Sequence, residues 1–444
     1  MMLKRKALNQ LRKWKSREDR KPLLVEGPRQ VGKTYIIQVF AAETYETCFE
    51  LNFLKNPSLK EIFSGDLSPD AVLSGIRLSF PGQHYTPGRT LIFLDEIQAC
   101  HDAITALKFL SGDPRFDVIA SGSSLGIVHA QTSSWPVGQI DYLDMWALDF
   151  EEFLWAIGLD EDLVEEIKKY RTGKTVVPEA IHQKMTTFLR QYLVIGGMPE
   201  VVKHFVPDQD YQTADEIQRS IYRDYTADIA HYANPEIRLK AQACWNSVPA
   251  QLTKVNHKFQ YGTVEKKGNK QKFGSSVDWL TAARMVLKVN NVNKVEYPLK
   301  NQTLEDNYRL YPSDIGLLIS TYDFRLKRAF LLDHADDDLS ESIVFRTAKG
   351  GIFEALAADM LCKKGYFEKC WFYRNEAGTV ELEFLIEGPT GVYPLEIKAG
   401  NNKTRSLDKI LSDDNIALGY KFANQNAGIS GKKISLPLYM LPFI

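Results

Sequence analysis

The stretch Gly27-Pro28-Arg29-Gln30-Val31-Gly32-Lys33-Thr34 decides the fold of the first third of this 444-residue chain. It matches the pattern G-x-x-x-x-G-K-S/T, with the apolar run 23–25 before it and the segment 34–40, which can open a helix, after it. In a strand–loop–helix arrangement, backbone N–H groups of the loop and the helix N-terminus together bind phosphate oxygens. A chance match in a glycine-containing turn is the alternative, but the strand before and the helix after argue against it.

The residue types in this stretch also predict its ligand. The Lys33 ammonium would reach the β- and γ-phosphates of a nucleoside triphosphate, and the Thr34 hydroxyl would bind Mg²⁺. We therefore expect residues 27–34 to bind ATP together with Mg²⁺.

A second nucleotide-binding pattern follows at residues 90–96, an apolar strand that ends in Asp95 and Glu96. The carboxyl end of a buried parallel strand opens onto the ligand crevice of its sheet. We expect Asp95 to hold Mg²⁺ through water and Glu96 to act as general base on the attacking water. A buried strand that merely ends on surface acids is the alternative.

A third apolar strand, 116–120, leads into Ser121, which is placed to sense the γ-phosphate or to orient the water. The alternative is a Ser/Gly turn without a catalytic part. Residues 142–148 favour another strand, followed by a helix with Asp149 as its cap and Glu152 three residues later. Strands that alternate with helices in this way predict a doubly wound α/β ATPase core.

The bulk composition limits the remaining classes of protein. Length suggests about three domains at roughly 150 residues each, and 44% hydrophobic with 25% charged residues is typical of a globular protein. The five cysteines are odd in number and lack C-x-x-C spacing, which predicts a reducing, cytoplasmic location without structural zinc. The sequence has no long apolar run, so we expect no membrane span and no signal peptide.

Several motifs in their order resemble the AAA-type ATPases of bacteria and archaea that carry a long C-terminal extension. The matching residues are GPRQVGKT (27–34), FLDEIQ (93–98), IASGSS (119–124), PVGQIDYLDMWALDFEEFL (136–154) and GGMPEVV (196–202). The resemblance implies a helical lid over 161–230, with Arg223 as a nucleotide-sensing arginine; an arginine paired with local carboxylates is the alternative. The family has Arg or Lys at the position of Gln139, where AAA-type proteins place a finger toward a neighbouring subunit. A homo-oligomer is thus allowed, although Gln139 cannot neutralise phosphate charge.

The segment 231–300 is basic in a chain whose formal net charge is −1. It holds twelve Lys and Arg against four Asp and Glu, an excess of 12 − 4 = +8. Residues 275–280 can start a helix, and 286–289 with 294–297 can form a hairpin. That outline predicts a winged helix that places a helix and a basic wing on DNA. A winged helix that binds only protein is the alternative.

The last third carries a group of carboxylates. A helix containing Glu354 precedes the strand 380–386 with Glu383, and a further strand ends in Glu396-Ile397-Lys398. This order resembles the PD-(D/E)XK nucleases, which implies Mg²⁺ on Glu354, Glu383 and Glu396, with Lys398 acting on the attacking water. The nuclease family has Asp where this chain has Glu383. An acidic hairpin that only aids solubility is the alternative.

Together these patterns predict four segments: an ATPase core over 1–160, a lid over 161–230, a winged helix over 231–322 and a nuclease-like domain over 323–444. The leading hypothesis is an ATPase that couples ATP to DNA binding and to Mg²⁺-dependent cleavage. The rival is a nucleotide-controlled switch or scaffold whose C-terminal domain binds DNA or protein without cutting it. Glu383 and Gln139 favour the rival.

Overall fold

The computed structural model describes residues 2–123, 135–254, 256–332, 343–399 and 405–444, with only the backbone for 231–232 and 343–347. Ser124 of the 119–124 motif lies outside these ranges. The chain forms two compact units. The N-terminal unit comprises Lys4–Ala147 and Ala282–Arg284, and the C-terminal unit comprises Met1–Leu3, Leu148–Thr281 and Met285–Ile444. Within the ranges above, every helix is too short or too polar to cross a lipid bilayer.

The N-terminal unit is built on a five-stranded sheet in which all neighbouring strands run parallel, in the order β2-β3-β4-β1-β5. Its strands are β1 Leu23–Glu26, β2 Thr47–Asn52, β3 Thr90–Asp95, β4 Asp117–Gly122 and β5 Asp141–Asp144. Its helices are α1 Lys6–Lys15, α2 Lys33–Thr44, α3 Pro69–Ser79 and α4 His101–Leu110. Every residue of β3 is buried, as expected for an inner strand of a covered parallel sheet. The predicted α/β fold with a parallel sheet is confirmed.

The turn from β1 into the phosphate-loop motif depends on a glycine. The Met145 N–H donates to the Glu26 carbonyl at 2.7 Å, which continues the pairing of β1 with β5. A Cβ on Gly27 would then lie 1.9 Å from the Met145 carbonyl oxygen. Any other residue at position 27 would have to push the two strand ends apart, so the loop starts where glycine permits it.

The C-terminal unit begins with helices. They are α5 Phe150–Ala156, α6 Glu161–Lys168, α7 Glu179–Ile195, α8 Pro199–Asp208, α9 Tyr211–Tyr232, α10 Pro235–Leu252, α11 Tyr261–Val264 and α12 Lys270–Ala282. The predicted cap of α5 is confirmed: Asp149 accepts from the backbone N–H of Glu152, and the Glu152 side chain accepts from that of Asp149. The predicted helical character of 161–230 agrees with α6 to α9.

The rest of this unit is an eight-stranded mixed sheet with flanking helices. Its strands are β6 Val286–Val292, β7 Thr303–Pro312, β8 Cys370–Arg374, β9 Glu381–Gly388, β10 Gly391–Ile397, β11 Gly419–Ala423, β12 Gly428–Ser430 and β13 Lys433–Pro437. The helices are α13 Ile315–Ile319, α14 Phe324–Leu331, α15 Ile343–Leu361 and α16 Arg405–Leu411. The strand order is β12-β13-β11-β10-β9-β8-β6-β7.

The hairpin predicted as a basic wing is wrong in its second strand. The strand β6 pairs antiparallel with β7 and parallel with β8, whereas residues 294–297 form bends and no strand. The strand β7 is ten residues long and its second half, 308–312, is buried, so β7 offers β6 the larger apolar surface to pair with. The sheet thus crosses the boundary at 322 that separates two of the predicted segments.

A buried ion network holds the helices of the C-terminal unit to its sheet. The Lys363 ammonium lies 2.9 Å from an Asp314 oxygen, 2.7 Å from an Asp359 oxygen and 3.0 Å from the Tyr192 hydroxyl. Asp314 also accepts from the backbone N–H of Gly197 at 2.9 Å, within the GGMPEVV motif. Burial raises the pKa of Asp359 to about 6 despite the opposing effect of Lys363. Removing one member of such a network would leave a buried charge without compensation.

Candidate functional site

The phosphate-loop motif forms a tight curve around the Lys33 side chain. Gln30 and Gly32 adopt left-handed backbone conformations, with φ of 60° and 90°. The Lys33 ammonium donates to the carbonyl oxygens of Gly27 and Pro28 at 2.9 and 2.7 Å. Burial lowers the pKa of Lys33 to about 8, although Glu96 and Asp95 oppose that shift. The loop therefore holds a cation at the N-terminus of α2, where the helix dipole already favours an anion.

The Asp95 carboxylate is the acceptor on which the neighbouring elements converge. The Thr34 hydroxyl lies 3.1 and 3.2 Å from its two oxygens. The Ser121 hydroxyl donates to one oxygen at 2.5 Å, and the Asn52 amide donates to the other at 2.7 Å. The structure thus brings Thr34, Asp95 and Ser121 together at the carboxyl end of the sheet. Ser121 lies within β4 and not in a turn, and its role toward a γ-phosphate or a water stays a prediction.

Asn52 is a site residue that the sequence motifs did not identify. It ends β2 and is the register partner of Asp95 on β3, and only 7% of it is exposed. Its amide bonds the Asp95 carboxylate from β2, whereas Ser121 bonds it from β4 on the other side of β3. The signal was available in principle, because a polar residue that ends a buried parallel strand lies at the ligand edge of the sheet.

Glu96 lies directly after β3 in a left-handed conformation, with φ of 55°. The strained backbone turns its side chain away from the strand direction. The Gln98 amide donates to one Glu96 oxygen at 2.5 Å, so one carboxylate oxygen has a fixed partner. The role of Glu96 as a base for water stays a prediction.

Arg5 is a second residue that the sequence motifs did not identify, and it bonds the backbone of the phosphate loop. Its guanidinium donates to the Val31 carbonyl at 2.9 Å and to the Trp146 carbonyl at 2.6 Å. Arg5 is 8% exposed, so these two bonds are made in a nearly dry environment where each is strong. The phosphate-loop backbone and the chain after β5 are therefore fixed to one side chain near the N-terminus.

Two further residues that the sequence singled out, Arg223 and Gln139, are exposed. Arg223 is exposed on α9, and its Nε donates to the Arg219 carbonyl at 3.3 Å. The carboxylate of Asp215 pairs with Arg219 and not with Arg223. Gln139 is exposed in the turn before β5, where its N–H donates to the Pro136 carbonyl. The nucleotide-sensing role of Arg223 stays a prediction.

In the C-terminal unit, three of the predicted nuclease residues come together. The Lys398 ammonium, just after β10, lies 3.0 Å from a Glu383 oxygen and 3.1 Å from a Glu396 oxygen. Burial raises the pKa of both carboxyls despite that cation. For Lys398 the two carboxylates outweigh burial and raise its pKa. Lys398 is therefore a cation that pairs with both carboxylates.

Glu354 lies close enough to help raise the pKa of Glu383, but its own hydrogen bonds go to other residues, and its role as a metal ligand stays a prediction. Its carboxylate accepts from Arg309 at 2.5 Å, from His257 at 2.6 Å and from the Tyr311 hydroxyl. Burial alone would raise its pKa, but Arg309 and His257 outweigh burial and lower the pKa to about 2. The guanidinium of Arg309 also pairs with Glu381. The Arg309 guanidinium thus supplies the positive charge beside Glu354. The described residues contain no cluster of three His, Cys, Asp or Glu side chains that could hold a metal.

Comparisons with known families divide the chain into three matched regions. Residues 19–154 match the AAA domain, residues 186–327 match a domain of unknown function (DUF8612), and residues 349–439 match another (DUF4143). No curated protein matches the chain.

Among solved structures, the Orc1 protein of Aeropyrum pernix in complex with DNA is 12% identical to this chain. The match covers 72% of this chain and 92% of that one, with a TM-score of 0.28. Cdc6p of Pyrobaculum aerophilum is also 12% identical, with 63% and 86% covered at a TM-score of 0.25. These scores are too low to support an argument about function. The chain contains an AAA domain over residues 19–154.

The position of Asn52 yields a prediction. Asn52→Leu keeps the side-chain size but removes the donor that orients Asp95, so we expect ATP turnover at limiting Mg²⁺ to fall roughly 10- to 100-fold. Steady-state ATPase assays over a Mg²⁺ titration measure the effect. Glu50→Gln, on the same strand but bonded to Gln38 at the surface, serves as control. Equal Mg²⁺ dependence of Asn52→Leu and the parent would contradict the role.

Proposed function

We propose that this protein is an AAA-type ATPase that binds and hydrolyses ATP with Mg²⁺. The observation that carries the proposal is the convergence of Thr34, Ser121 and Asn52 on Asp95 beside a curved loop that presents Lys33. A hydroxyl and a carboxylate that face each other supply the hard oxygen ligands that Mg²⁺ prefers. The AAA domain match over 19–154 supports the same assignment.

The residues present fit a magnesium ion and a triphosphate. Thr34 and Asp95 would hold the ion, which when bound neutralises charge on the phosphate oxygens. The loop N–H groups and Lys33 bind and orient the phosphate chain. Glu96 accepts a proton from water held at the end of β3, and Gln98 keeps the Glu96 carboxylate in place.

Lys33 and Glu96 act at different stages, which gives a direct test. Lys33→Ala removes the phosphate cation and should abolish ATP binding. Glu96→Gln removes only the base, so ATP should still bind while turnover falls by about 10²- to 10⁴-fold. Equilibrium binding of a fluorescent ATP analogue and phosphate release measure the two steps. Parent-like turnover of Glu96→Gln would show that another group activates the water.

We further propose that ATP binding is coupled to nucleic-acid binding through the basic segment 231–300. In the structure, three cations of this segment pair with carboxylates and are therefore less available to an external anion. Lys270 pairs with Asp306, Lys272 with Glu265 and Lys288 with Asp278. Lys266 and Lys267, in the turn between α11 and α12, are exposed, and neither pairs with an acid within the described part of the chain. They are the candidates to contact phosphates, with DNA as the expected partner.

Replacing Lys266 and Lys267 together by Ala should weaken DNA binding and reduce its salt dependence. Each lost phosphate contact lowers the slope of log affinity against log salt by about 0.9. Lys270→Ala with Lys272→Ala, which removes the same charge from paired positions, is the matched control and should have less effect. Anisotropy titrations on duplex DNA and on RNA from 50 to 200 mM salt measure both. An unchanged slope would place the nucleic-acid surface elsewhere.

For the C-terminal unit the geometry favours the rival hypothesis, a domain that binds nucleic acid or protein without cutting it. Arg309 neutralises Glu354 and Glu381 from within the unit, and Lys398 neutralises Glu383 and Glu396. Four carboxylates thus have two internal cations, and a divalent ion would have to displace one of them. One observation supports cleavage: among the described residues, the second Glu396 oxygen has no hydrogen-bond partner although it is buried, as a ligand awaiting an ion would be.

Two measurements separate these candidates. Supercoiled plasmid with ATP and Mg²⁺ or Mn²⁺ should be nicked no faster by the parent than by Lys398→Ala. Arg309→Met should lower stability by about 3–5 kcal/mol, because Glu354 loses its buried partner, and the exposed Arg325→Met should not. We expect Mn²⁺ to leave the urea midpoint of Arg309→Met unchanged. Nicking that depends on Lys398, or restoration by Mn²⁺, would establish the metal-dependent nuclease instead.

A further inference from the structure

The N-terminal unit contains three residues from far along the chain. Ala282–Arg284 belong to it, although they follow the AAA domain match, which ends at 154, by more than a hundred residues. The sequence pattern counted Arg284 among the twelve cations of the basic segment. The structure instead places its guanidinium at the carboxyl edge of the five-stranded sheet.

Arg284 bridges two carboxylates on neighbouring strand ends. One guanidinium nitrogen lies 2.6 Å from Glu26, and the other lies 2.7 Å from Asp144. Glu26 ends β1, Asp144 ends β5, and the two residues are register partners. The guanidinium also lies over the Trp146 ring, with 5.4 Å to its centroid. Arg284 adopts a left-handed conformation, φ 56°, so the backbone is strained where it delivers this side chain.

Without a nearby cation, the Glu26 and Asp144 carboxylates would repel an anionic ligand. Like charges on directly paired residues of adjacent strands repel. Glu26 immediately precedes Gly27, the first residue of the phosphate loop, and its side chain is 16% exposed. An uncompensated charge there would act on a triphosphate through protein as well as solvent. Arg284 and Glu26 are both largely buried, whereas Asp144 is about half exposed and screened by water.

We propose that Arg284 is a positioning residue of the nucleotide site: it neutralises Glu26 and fixes the end of β1 so that the phosphate loop accepts a triphosphate. The inference rests on the proposed ATP-binding function. In this role Arg284 acts through Glu26, with which its guanidinium forms the more buried of its two carboxylate contacts. It therefore differs from the sensing role predicted for Arg223.

This role has an electrostatic signature that a purely structural role would lack. Arg284→Gln removes the cation that pairs with Glu26, so ATP affinity should fall about tenfold or more, ADP affinity less, and adenosine affinity not at all. Arg284→Lys keeps the charge and should retain most of the affinity. Glu26→Gln combined with Arg284→Gln removes both charges and should return ATP affinity to within about threefold of the parent.

The experiment is isothermal titration of ATP, ADP and adenosine into the full chain and these variants, with thermal unfolding as a check on folding. Arg115→Gln is the matched control, because Arg115 pairs with Asp70 and Asp113 before β4, at the opposite end of the strand. Parent-like ATP affinity of Arg284→Gln would overturn the inference. So would a double variant that binds as weakly as Arg284→Gln.

Two further outcomes are decisive. If Arg284→Gln does not fold, Glu26→Gln alone decides: ATP affinity equal to or above that of the parent supports the role, and a loss of more than about threefold overturns it. If the parent binds no ATP, the proposed function fails and this inference fails with it. ATP binding by the parent together with an indifferent Arg284→Gln would leave the proposed function standing and remove only the inference.

Discussion

The arrangement of the N-terminal unit depends on one acceptor, the Asp95 carboxylate. Hydrogen bonds from Thr34, Asn52 and Ser121 reach it from three different elements, and they meet because the parallel strands all end at the same edge of the sheet. A carboxylate with three donors is held in one orientation. The same edge carries Lys33 and Glu96, so the side chains of Lys33, Asp95 and Glu96 are positioned by sheet geometry and not by long loops.

In the C-terminal unit the dominant constraint is compensation of buried charge. Lys363 between Asp314 and Asp359, Arg309 between Glu354 and Glu381, and Lys398 between Glu383 and Glu396 repeat one arrangement, a cation that bridges two acids. Removing a partner from a buried pair is strongly unfavourable. Charge compensation within the fold is therefore sufficient to explain these acids, and a metal ion is not needed to account for their burial.

Local patterns allowed much of the N-terminal unit to be predicted from sequence. The strands around Val25, Leu94 and Ile119 follow from apolar runs. Asp95 and Ser121 were identified because they follow such runs, and Thr34 because it completes the phosphate-loop motif. The cap at Asp149, in the C-terminal unit, follows from a short-range motif as well. Asn52 and Arg5 were missed because their roles come from partners 43 and 26 residues away. The wing was wrong because the partner of β6 is chosen by sheet pairing with β7 and β8, which no local pattern encodes.

Net charge over a segment is the weakest of these sequence signals, and Arg284 shows why. A count over 231–300 treats every cation as available to an external anion. Yet Lys270 is neutralised by Asp306, which lies just beyond that segment, and Arg284 is committed to Glu26 beside the phosphate loop. A cation acts on the nearest carboxylate in space, because Coulomb interactions fall with distance and are screened by solvent. A cation that the sequence pattern assigns to nucleic-acid binding can therefore neutralise a carboxylate beside the nucleotide site instead. Only the ion pairs of the folded chain distinguish these two cases.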